Sequence, residues 1–169
     1  HTQFEQPQET PNIAIMMQED DSLYQVKFLV ENVGKKQTRS KKRITWTFNV
    51  GEHEKTVTFV WSKLTGKQFV FMQDEEVHFG RKKGASVFYH KWTSRDESLK
   101  LHILACAATP SKKHVASGFR KYELIVNGQP FSSMPARDGA VMETPTTAED
   151  EGKPCSILDI LYPNGYEWD

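Results

Sequence analysis

ITWTFNV (Ile44–Val50) and, a short turn later, TVTFVWSKLTGKQFVFMQ (Thr56–Gln73) decide the fold. In the first stretch Ile44, Trp46, Phe48 and Val50 alternate with Thr45, Thr47 and Asn49, the period of a strand with one buried face. In the second, Val57, Phe59 and Trp61 share a face, Leu64–Gly66 turns the chain, and Lys67–Gln73 returns with Phe69 and Phe71 opposite Val70 and Met72. That is a β-hairpin.

Further strands flank this pair. Upstream, Tyr24, Val26, Phe28 and Val30 fall at spacing two, although Leu23, Lys27 and Val30 would also suit a short helix; the strand is preferred. Downstream come Glu76–Phe79, the aromatic run Ser86–Trp92, and Leu99, Leu101 and Ile103 in alternation. Phe119–Val126 follows, leading into Asn127-Gly128, the dipeptide best suited to positive φ at both positions of a tight hairpin turn. Strands spaced at roughly ten residues with no helical period between them predict an all-β fold, an antiparallel β-sandwich of about seven to nine strands over residues 22–134.

Residues 1–21 read as an N-terminal lead-in, whose polar first twelve residues are either unstructured or a strand clamped late, 135–155 as an acidic linker unable to bury apolar area, and 156–169 as an apolar and aromatic C-terminal extension. Within that extension Ile157, Leu158, Ile160, Leu161 and Trp168 form a candidate docking tail, either for a partner or for the protein's own sheet.

The 169 residues carry 22 Lys or Arg and 22 Asp or Glu, a net charge of zero that is unevenly spread. Residues 1–22 hold five acids and no Lys or Arg, and residues 137–169 hold eight acids against Arg137 and Lys153, so a basic body lies between acidic ends. The two cysteines, Cys106 and Cys155, fall far short of a disulfide framework and favour a reducing, cytoplasmic compartment; the sequence leaves open whether they pair. The longest apolar run, Ile103–Ala108, is too short to span a bilayer, so a soluble protein is expected. The chain opens with His1, so its start is consistent with processing or truncation.

The sharpest functional candidate is the charge run GKKQTRSKKR (Gly34–Arg43), read as a loop or strand edge. Lys35, Lys36, Arg39, Lys41, Lys42 and Arg43 place six positive charges within nine residues, suited to phosphates on nucleic acid or an anionic lipid surface. Arg81, Lys82 and Lys83 extend this patch if the two loops share an end of the sandwich. The competing role is a solvated loop whose charges keep a sheet edge from pairing with other chains. Aromatic residues at strand spacing are assigned mostly to the core, which argues against a nucleic-acid reader.

Signatures of hydrolase elbows, phosphate-binding loops and zinc sites are missing, and His78, His90 and His102 are read as surface or satisfied strand residues. No catalytic, cofactor or metal site is expected. The segments HEKTVTFVWSKLTGKQFVFMQDEEV (His53–Val77), VFYHKW (Val87–Trp92) and GFRKYELIVNGQPF (Gly118–Phe131) resemble the N-terminal domain of the Fas apoptotic inhibitory molecule family over residues 52–134. That resemblance implies a compact antiparallel sandwich working by protein contact, without catalysis or cofactor. The first expectation is therefore a non-enzymatic protein–protein interaction module with an unidentified partner. The alternatives are anionic-ligand binding through the basic loop and an enzyme of unrecognised type.

Overall fold

The computed structural model describes residues 21–108, 110–116 and 120–143. It is all-β: a six-stranded sheet in the order β10-β1-β2-β3-β4-β5 packs on a four-stranded sheet in the order β6-β7-β8-β9. The larger sheet is built from β1 (Leu23–Asn32), β2 (Lys41–Val50), β3 (His53–Ser62), β4 (Lys67–Met72), β5 (Glu75–Arg81) and β10 (Ala136–Glu143). The smaller comprises β6 (Val87–Thr93), β7 (Lys100–Cys106), β8 (Tyr122–Val126) and the two-residue β9 (Gln129–Pro130). A five-residue helix, α1 (Lys112–Ala116), lies between β7 and β8. Among the described residues no helix is long and apolar enough to cross a membrane.

The alternation read from the sequence sets the core. Ile44, Trp46 and Phe48 of β2, Val57 and Phe59 of β3 and Val70 of β4 are fully buried and face Leu101, Ile103, Leu124 and Val126 of the smaller sheet. Phe59 stacks on Phe88 with ring centroids 4.2 Å apart, joining the sheets near the β5–β6 side. The β8–β9 turn adopts the expected geometry, with φ of +50° at Asn127 and +81° at Gly128.

Three features depart from the sequence expectation. First, β1 has a bulge between Gln25 and Lys27, so Gln25 lies opposite Phe48 and Phe28 opposite Trp46. The extra residue switches the side-chain parity, and the inward set becomes Leu23, Gln25, Phe28 and Val30 rather than Tyr24, Val26, Phe28 and Val30. Second, the stretch expected to be linker from residue 135 contributes β10, a tenth strand that pairs with β1 in parallel, the one parallel pair among these strands. Backbone pairing needs no apolar alternation, which is why its composition did not announce it. Third, Lys41, Lys42 and Arg43 are residues of β2 and not loop.

Candidate anion-binding interface

The six bases of Gly34–Arg43 divide into two groups. Lys42 points inward and is only 4% exposed, and its Nζ donates to Asn32 Oδ1 at 2.6 Å. Arg43 points outward and grips Glu31 with two hydrogen bonds, from Nε at 3.1 Å and from its second terminal nitrogen at 3.0 Å. The Arg43 guanidinium holds the Glu31 carboxyl below its ordinary range. Both cations stitch β1 to β2, and the pair between Glu31 and Arg43 sits directly across the strands. Lys35, Lys36 and Arg39 remain exposed in the β1–β2 loop, with Lys41 half-buried at its end.

The structure joins this loop to two others. The Lys63 N–H donates to Ser40 O at 2.7 Å, tying the β3–β4 turn to the β1–β2 loop. The Lys82 N–H donates to Gly66 O at 2.9 Å, and Arg81 Nε donates to Thr65 O at 3.0 Å, tying the β5–β6 loop to the same turn. Gly66 makes the approach possible. Its φ is +74°, and a Cβ built there would lie 2.5 Å from Lys83 N, so neither the conformation nor the space tolerates a side chain. Residues 33–41, 62–67 and 81–86 thus form one end of the sandwich, carrying four, two and three Lys or Arg respectively and no Asp or Glu. At its apex Leu64 is 58% exposed.

Sequence reasoning placed Arg81–Lys83 here conditionally and missed Lys63 and Lys67, each isolated among apolar and turn residues. Most aromatics of the described strands lie in or against the core as expected, but the three of the β4–β5 hairpin do not. Phe69, Phe71 and Phe79 stand on the outer face of the β4–β5 hairpin, beside this end, with Phe79 53% exposed.

The histidines do not converge. His78 and His90 stack at 4.0 Å across the β5–β6 side, whereas His102 lies on the opposite face of the smaller sheet, edge-on to Tyr89 at 4.2 Å. His90 is pushed down by burial and by the neighbouring His78. His102 is lowered to about 4, chiefly by burial and then by Lys91 and His90. Among the described residues no group of three or more His, Cys, Asp or Glu is placed to hold a metal ion.

A cavity of about 470 Å³ opens on the other side, between β8 and the β1–β10 edge, walled by Phe28, Val30, Trp46, Tyr122, Phe131 and Met142. Arg120, Lys121, Gln25, Glu123 and Ser132 supply its polar lining; Gln25 Nε2 donates to Phe131 O at 2.6 Å, and the Glu123 carboxylate accepts Ser132 Oγ at 2.6 Å and Ser132 N–H at 3.2 Å. Burial pushes Glu123 up to about 6. Cys106 is buried, and its Sγ donates to Lys121 O at 3.6 Å. The candidate docking tail, Ile157, Leu158, Ile160, Leu161 and Trp168, together with Cys155, lies outside the described residues.

Comparison of the chain with protein-family models, with curated proteins and with solved structures finds no match.

Proposed function

We propose that this chain is a non-catalytic binding module whose acid-free end engages a phosphate-bearing polyanion. One observation carries the reading: backbone hydrogen bonds lock three separate loops into a single surface on which nine Lys or Arg gather without an acid among them. Like charges held together by fixed backbone repel one another, and an anionic ligand relieves that repulsion while releasing counterions. Edge protection needs only scattered lysines along an unpaired strand, and it gives no reason for three loops to pool their charge.

The test is a titration with a polyanion at two salt concentrations. If five phosphates are neutralised, affinity for a single-stranded oligonucleotide falls about 100-fold between 50 and 200 mM salt. Replacing the exposed Lys35, Lys36, Lys67, Lys82 and Lys83 with Ser should abolish most of that dependence and leave the melting temperature unchanged. Salt-independent binding, or a variant that binds as before, would sink the reading.

A second reading, contact with a partner protein as the family resemblance implies, is favoured by the apolar cavity. β10 ends the larger sheet, and β9 covers only Ile125 and Val126 of β8, so the cavity lies between strand edges suited to an apolar side chain on an added strand. Substituting Met142, 46% exposed on its rim, by Glu should abolish such contact without touching polyanion binding.

A further inference from the structure

Lys67 lies opposite Arg81 and Phe69 opposite Phe79, so on the outer face of the β4–β5 hairpin a pair of cations is followed directly by a pair of rings. The Phe69 and Phe79 centroids are 4.9 Å apart, and Phe71 continues the row, its ring nearly parallel to Phe69 at 6.1 Å. None of the three belongs to the core cluster between the sheets. Rings side by side on the outer face of an edge hairpin, one exposed and two half-buried, are an aggregation liability, and they adjoin the acid-free end described above. At the far end of the hairpin Asp74, Glu75 and Glu76 bound the strip with negative charge.

We propose that this face binds single-stranded nucleic acid, with unpaired bases stacking on Phe79 and Phe69 while the phosphates run past Arg81 and Lys67 onto the loop lysines. The inference rests on the polyanion reading and narrows it. Rings lying on a flat sheet beside cations match a polymer that alternates bases with phosphates, and stacking on an aromatic face tolerates any base sequence. A duplex keeps its bases stacked inside and gains nothing from the rings. A bilayer would take up Leu64 and the loop lysines and has no use for a row of rings on the sheet face, two of which are half-buried.

The test uses the full chain with a labelled twelve-residue oligothymidylate, a twelve-base-pair duplex, and vesicles containing phosphatidylserine, all at low salt. Phe79→Ala should weaken oligothymidylate binding about tenfold, within the range for losing one stacked base, and leave duplex binding unchanged. Phe79→Trp should retain the wild-type affinity, which separates stacking from a folding defect. The inference is overturned if Phe79→Ala binds oligothymidylate like the wild type, if duplex binds the wild type as tightly as the single strand, or if the variant only converts a dimer into a monomer. Salt-dependent binding to vesicles alone would overturn it while leaving the polyanion reading intact; binding to none of the three probes overturns both.

Discussion

On the six-stranded sheet, the outward residues of β4 and β5 include Lys67, Phe69, Phe71, Phe79 and Arg81; Lys67, Phe79 and Arg81 are exposed and the other two half-buried. On the four-stranded sheet, the corresponding residues of β7 and β8 are His102, Leu104, Cys106, Glu123 and Ile125, and every one of them is buried. The sequences already differ in kind. KQFVFM sets Lys67, Phe69 and Phe71 outward against Gln68, Val70 and Met72 inward, whereas LHILAC and YELIV are close to continuous apolar runs, the pattern of strands covered on both faces. A doubly buried strand has no surface to offer, so its residues serve stability and its titratable groups are held in unfavourable surroundings. A singly buried strand keeps a face whose chemistry is available to a ligand.

The widest contrast this comparison predicts is in stability. Leu104 is fully buried on the outward side of β7, so Leu104→Ala should cost about 2 to 5 kcal/mol in urea unfolding. Phe79→Ala removes a ring that is 53% exposed and should cost no more than about 1 kcal/mol. Equal costs would mean that the Phe79 face is packed against something as the Leu104 face is, and the case for a ligand surface would fail.

Gly66→Ala probes the junction that gathers the basic end. Positive φ and a Cβ 2.5 Å from the Lys83 nitrogen oblige the β3–β4 turn or the β5–β6 loop to move, at about 2 to 4 kcal/mol. Because the three loops separate, polyanion affinity should fall although no charge has been removed. A variant that is destabilised yet binds with unchanged affinity and salt dependence would show that charge number matters and loop geometry does not.

Much of the sandwich was legible because its strands are signalled locally. The inward row of β2, the β3–β4 hairpin and the Asn127-Gly128 turn follow from side-chain period and turn chemistry alone. What escaped notice is non-local. The pairing of β10 with β1 is made by backbone groups more than 100 residues apart in the chain, such as the Gln25 N–H donating to Pro135 O at 2.8 Å. The basic end escaped in part for the same reason: Lys63 and Lys67 acquire their meaning only when the Ser40, Gly66 and Lys82 backbones meet. The run from Lys35 to Arg43 was visible as charge, yet its division between Lys42 and Arg43 inside the sheet and the lysines of the loop depends on where β2 begins. The alternation that revealed β4 also disguised Phe69 and Phe71, because period two says that one face is buried without saying which rings are on it.

The smallest effect predicted from the two faces is a pH dependence, and it tests whether the outward side of the four-stranded sheet is as dry as its burial implies. Glu123 titrates near 6 when folded, above the ordinary 4.5, so its contribution is full below pH 4.5 and is lost as pH rises through 6. For this largely buried carboxyl the amount is about 2 kcal/mol. His102 has the opposite sign: its folded value of about 4 lies below the ordinary 6.5, so its contribution is full above pH 6.5 and is lost as pH falls through 4. Between pH 4.5 and 6 the Glu123 slope opposes that of His102 and of His90, which is lowered in the same direction, so the wild-type urea midpoint should move less there than in a variant lacking the carboxyl. Glu123→Gln should unmask the histidines, so that stability falls steadily on acidification from 6.5 to 4. His102→Gln should unmask the carboxyl, so that stability rises on acidification from 6 to 4.5. If both variants keep the wild-type profile, these groups are reached by water in solution, and the four-stranded sheet also has an outer face open to a ligand.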